Sequence, residues 1–62
     1  ISKRQAENRD RYNRAYAEGF RFGSHPNARL AGVGRIAKRL GLERQTLANS
    51  LKEFKRDNPD EI

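Results

Sequence analysis

Gly41 is the residue that most constrains the fold of this chain. It falls inside the twenty-residue stretch VGRIAKRLGLERQTLANSLK, from Val33 to Lys52, between two runs whose apolar residues recur at helical spacing. Those apolar positions are Ile36, Ala37, Leu40, Leu42, Leu47 and Leu51. Their three- and four-residue intervals predict two short helices rather than strands. A chain that leaves one helix and enters another within about three residues usually passes through a left-handed conformation, which a residue with a Cβ adopts at a cost. Glycine at position 41 removes that cost. Ala37, four residues earlier, lets the second helix cross closely, and Leu42 and Leu47 are expected to close the wedge between the two.

The same residues resemble the DNA-binding helix-turn-helix of bacterial and phage repressors, the lac repressor family among them. The matching positions are Ile36-Ala37, Leu40-Gly41-Leu42, Gln45-Thr46-Leu47 and Leu51, so the resemblance covers about a third of the chain. Two positions depart from the family pattern. Ser50 stands where the family usually has an apolar residue, and Glu43 where it often has a serine that caps the second helix. A glutamate caps more weakly, although its charge suits the positive end of the helix dipole.

With 62 residues the chain makes one small domain. A domain of that size buries only about 60% of the surface its unfolded chain exposes and has no room for an enzyme cleft with a lid. Its composition is 35% charged and 34% hydrophobic without a cysteine, so neither disulfides nor a cysteine-ligated zinc site can reinforce it. Helix packing, with or without a second subunit, must supply stability. No apolar run approaches the roughly 20 residues of a membrane span and no signal-peptide pattern is present, from which a cytoplasmic location is expected, nucleoid-associated if the source is bacterial. A chain that starts at Ile1 and contains no methionine is also expected to be preceded by further residues.

The formal net charge is +6, and its distribution is uneven. Residues 1–23 carry six basic and three acidic groups, residues 24–42 four basic and none acidic, and residues 43–62 four basic and five acidic. A sequence pI near 10.5 is the footprint of a nucleic-acid binder, but it also fits an anionic protein surface or lipid headgroups.

Along the chain, a first helix is expected from about Lys3 to Phe20, capped by Ser2. Its apolar face is formed by Tyr12, Ala15, Tyr16, Gly19 and Phe20. The polar N-terminal part of that helix offers little to hold it down. Gly19-Phe20-Arg21-Phe22-Gly23 alternates glycine, aromatic and basic residues as RNA-stacking strands do, but no other period-two segment exists to build the sheet such a strand requires. Phe20 and Phe22 are therefore read as anchors at the end of the first helix. Ser24 to Asn27 form a loop, in which the single histidine, His25, lacks neighbours at metal-ligand spacing. Gly32 and Gly34 place a break ahead of Val33, since each costs about 1 kcal/mol in a helix interior. The last helix is expected from Arg44 to about Arg56, burying Leu47, Leu51 and Phe54 with Ala48 beside them, and Phe54 is expected against Tyr16 or Phe20. Asp57-Asn58-Pro59 ends it, followed by a frayed acidic tail.

The fold expected is thus all-α, a small three-to-four-helix domain: an N-terminal helix within 1–22, a helix-turn-helix within 33–56 and a tail at 57–62. The resemblance implies double-stranded DNA as partner, with the second motif helix in the major groove and the first crossing the backbone. Matched by position, Arg44, Gln45, Ala48 and Asn49 would meet bases. Arginine suits guanine, the amides adenine, and the Ala48 methyl a thymine methyl. Arg35, Lys38, Arg39, Thr46, Lys52 and Arg29 would meet phosphates. A homodimer is expected, because a specific repressor normally pairs two such units, and the Tyr12, Tyr16 and Phe20 face would serve as both core and dimer surface. Transcriptional regulation heads the functional readings. The same module would serve in packaging or recombination. An RNA or ribosome binder using the basic first half, and a module that docks an acidic protein, are the alternatives. No cysteine nucleophile, phosphate loop, glycine fingerprint or second histidine marks an enzyme, and no cofactor, metal or small-molecule substrate is expected.

Overall fold

The computed structural model describes residues 2–22 and 32–61. Over these the chain is all-α, with helices α1 (Lys3–Ala17), α2 (Val33–Leu40) and α3 (Arg44–Asp57), followed by a 3-10 turn at Pro59–Glu61. No helix among the described residues is long and apolar enough to cross a membrane.

Ser2 starts α1 with a full capping box. Its hydroxyl accepts from the Gln5 amide at 3.1 Å, and the Gln5 side chain accepts from the Ser2 amide at the same distance. The helix ends at Ala17, three residues before the boundary expected at Phe20. Gly19 is the cause. At φ +101° it turns the chain back, so that its own N–H reaches the Tyr16 carbonyl at 3.0 Å and the Phe20 N–H reaches the Ala15 carbonyl at 2.9 Å. This double closure satisfies two orphan carbonyls and drops Phe20 onto Ala15, both of them buried. Gly41 closes α2 in the same way. With φ +73° it donates to Lys38 and lets the Leu42 N–H reach the Ala37 carbonyl at 2.8 Å. Ala37 is itself buried, Leu47 is fully enclosed, and Leu40 and Leu42 pack half-buried against the cluster, as the wedge requires.

The core consists of Ala15, Phe20, Val33, Ile36, Ala37, Leu47 and Leu51, with Phe54 buried beyond it at the far end of α3. Phe54 does not take Tyr16 or Phe20 as its aromatic partner. It stacks on Tyr12, centroids 4.2 Å apart, and Tyr12 also lies nearly parallel to Phe22 at 5.7 Å. Successive helical residues are about 100° apart, so the stripe that faces α3 is Asn8, Arg11, Tyr12 and Ala15. Tyr16 falls to its edge and remains 46% exposed, with the Arg21 guanidinium 3.4 Å from its ring centroid.

Two further expectations are corrected. The N-terminal part of α1 is held down, by polar contacts to α3: Arg4 and Asn8 bind Glu53, and Arg11 donates to Ser50 Oγ at 2.8 Å. The acidic tail is tied as well, since Arg9 reaches both carboxylate oxygens of Glu61 and the Asn58 side-chain oxygen. Apolar periodicity signals neither tie, because the residues that do the holding are polar. α3 begins at Arg44 as expected and runs one residue past Arg56. Glu43 precedes it without a side-chain cap bond. α2 starts at Val33 after Gly32, which has φ +79°, while Gly34 lies inside the helix. Gly23 to Ala31, with His25 and Arg29 among them, and Ile62 lie outside the described residues.

Candidate nucleic-acid interface

α2 and α3 present one continuous polar face. On α3 the buried residues are Leu47, Ser50, Leu51 and Phe54. At about 100° per residue the pole opposite them carries Gln45, Asn49, Lys52 and Arg56, all exposed. Arg44 and Ala48 lie on the flank toward α2. A Cβ built on Gly34 would stand 3.4 Å from Arg44 Cδ, so the Arg44 stem passes alongside the start of α2. Ala48 is half-buried against the core. Thr46 falls on the other flank, toward α1, and is only partly exposed.

The structure therefore divides the four residues expected to meet bases. Gln45 and Asn49 share the outward pole, where Gln45 Nε2 donates to Asn49 Oδ1 at 2.9 Å. Arg44 and Ala48 sit to the side. Arg56, absent from the expected set, belongs to the pole by the same three- and four-residue spacing from Gln45 through Asn49 and Lys52.

On α2, Val33, Ile36 and Ala37 face inward, which leaves Arg35 and Lys38 exposed at the opposite pole. Arg39 turns to the flank facing α1 and binds Glu18 at 2.5 Å. Arg35 and Arg39 line an open cleft of about 230 Å³ with Ala17 and Glu18.

Most of the unpaired positive charge among the described residues lies on α2 and α3. Each arginine of α1 has a carboxylate partner: Arg4 with Glu53 at 2.6 Å, Arg9 with Glu61 at 2.7 Å, Arg14 with Asp10 at 3.0 Å and Arg11 with Glu7 at 4.0 Å. Hydrogen bonds from Arg4 and Asn8 are the main reason that the Glu53 carboxyl is held down at about 2, and Arg9 lowers that of Glu61 in the same manner. Arg4, Arg9 and Arg39 are raised in turn by their glutamate partners. The Glu53 and Glu61 carboxylates stay ionised at neutral pH and cancel the charge of Arg4 and Arg9 where it stands. Among the described residues, seven cations have no ion-pair partner: Arg35, Lys38, Arg44, Lys52 and Lys55 on α2 and α3, Lys3 at the start of α1, and Arg21 beyond its end.

The aromatic residues offer little for base stacking. Phe20 is buried, Tyr12 is stacked with Phe22 and Phe54, and Phe22 meets Phe20 edge-on at 4.9 Å with Lys55 Nζ 5.6 Å from its ring. Of the face expected to serve also as a dimer surface, Phe20 is buried, Tyr12 half-buried and Tyr16 exposed. No family model, curated protein or solved structure matches this chain.

Proposed function

We propose that this chain is a sequence-specific binding domain for double-stranded DNA, without catalysis of its own, which lays the outward pole of α3 in the major groove while α2 crosses the backbone. Its role is transcriptional regulation through occupancy of a site. One observation carries the reading: Arg35, Lys38, Arg44 and Lys52, four of the seven cations without an ion-pair partner among the described residues, share the side on which α3 exposes a polar stripe. α1, by contrast, has its arginines neutralised within the fold. Charge of one sign gathered on one face attracts a polyanion, and a phosphate backbone is the polyanion whose groove accepts a single helix. Arg35 and Lys38 take phosphates beside the groove, as do Arg44 from the flank of α3 and Lys52 from the C-terminal half of its outward pole. The burial of Phe20 and the packing of half-buried Phe22 against Phe20 and Tyr12 disfavour the alternative in which Gly19 to Gly23 stacks RNA bases.

The test is fluorescence anisotropy with duplex DNA, single-stranded DNA and an RNA hairpin, each across a salt series. Duplex preference is expected, with log K falling against log salt by about 0.9 per phosphate neutralised, roughly 3.6 for four contacts. Arg35→Gln and Lys38→Gln should each flatten that slope by about one contact, whereas Arg14→Gln, already paired, should not. Preference for RNA, or no binding to any of the three, would overturn the reading.

A further inference from the structure

The two amides at the outward pole of α3 are bound to each other one helical turn apart, Gln45 Nε2 to Asn49 Oδ1 at 2.9 Å. That bond uses one N–H of Gln45 and one lone pair of Asn49. It leaves facing outward the Gln45 carbonyl oxygen, an acceptor, and the Asn49 amide N–H groups, which are donors. The reverse assignment of the amides, with Asn49 donating to Gln45, would leave the same two functions with their owners exchanged. Coupled in either sense, the two side chains present one donor and one acceptor side by side.

A base that satisfies this couple must offer an acceptor and a donor on one edge. In the major groove adenine does so, with N7 and the N6 amino group, whereas guanine shows two acceptors, N7 and O6, and would strand the couple's carbonyl without a partner. The residue that would favour guanine, Arg44, is not at this pole, since its stem runs along Gly34 on the α2 flank. We propose that Gln45 and Asn49 form a single reading unit that selects adenine over guanine in the major groove, with Arg44 serving the backbone. The inference rests on the duplex-DNA reading above and joins two amides, each suited singly to adenine, into one unit that reads a single base.

The experiment is selection of sites from a randomised duplex pool by the full chain, followed by affinity measurements on the recovered site. The expected site contains an adenine whose replacement by guanine, or by 7-deazaadenine, which lacks only the N7 acceptor, weakens binding by about tenfold or more. Gln45→Ala and Asn49→Ala should each abolish that same preference, and the double variant should abolish no more, because the unit is already broken. Arg44→Ala should weaken all duplexes alike and keep the preference. Circular dichroism confirms folding of these exposed-site variants, and the 7-deazaadenine comparison needs no variant at all. A guanine preference lost in Arg44→Ala would overturn the inference, as would independent effects of Gln45 and Asn49 at different base pairs. In either case DNA recognition itself would stand. Failure of the wild-type chain to enrich any sequence would overturn both.

Discussion

The ring of Tyr12 lies almost flat on that of Phe54, with planes 12° apart, and so joins the middle of α1 to the last turns of α3. Phe54 is 1% exposed. Truncation of a buried phenylalanine to alanine typically costs 3–5 kcal/mol, while a domain of this length has a total stability of roughly 3–9 kcal/mol. Phe54→Ala is therefore expected to remove most of the helical signal at 25 °C, or to bring the urea midpoint close to zero. Phe54→Leu, which keeps much of the volume, should stay folded with a lowered midpoint.

The contact between Glu53 and Arg4 gives stability a defined dependence on pH. Hydrogen bonds from Arg4 and Asn8 lower the Glu53 carboxyl from 4.5 to about 2 in the folded chain. A depressed folded-state value means that the contribution is present above the unfolded value and is lost as pH falls through the folded one. Stability should decline between about pH 4.5 and pH 2 for this group, with Glu61 adding to the decline in the same sense. Glu53→Gln should be less stable at neutral pH and show a shallower acid decline, measured as thermal midpoint against pH.

Gly34 should accept alanine with a gain. It lies inside α2 at an exposed position, without positive φ, and an added Cβ would meet only the flexible Arg44 stem at an ordinary 3.4 Å. The glycine costs up to about 1 kcal/mol in helix propensity. Gly34→Ala is expected to raise the thermal midpoint by several degrees, a shift of roughly 4–8 °C per kcal/mol in domains of this size. Gly41→Ala should lower it, because φ +73° strains any residue with a Cβ.

Ser50→Leu is expected to destabilise. The repressor-like pattern favours an apolar residue there, yet Ser50 is 1% exposed and its Oγ accepts the Arg11 guanidinium. A leucine would overpack the α1–α3 seam and strip Arg11 of that acceptor, at a cost of about 1–3 kcal/mol. Chemical denaturation compares the two chains directly.

The helices themselves are legible in the sequence because the features that begin and end them act within one turn. Ser2 with Gln5 starts α1, Gly19 and Gly41 reverse the chain, and the spacing of Ile36, Ala37, Leu47 and Leu51 aims α2 and α3 at a common core. The candidate face on α2 and α3 was legible for the same reason, as the remainder of two amphipathic helices. Only the tertiary structure decided which polar groups go inside and which charges are spent. Arg11 finds Ser50 39 residues away, Arg4 finds Glu53 at 49 and Arg9 finds Glu61 at 52. Helical periodicity carries no information across such distances, since a hydrogen bond between two helices depends on how they cross rather than on the order of residues in either. The same crossing sets Arg44 beside Gly34 and leaves Gln45 and Asn49 facing outward together.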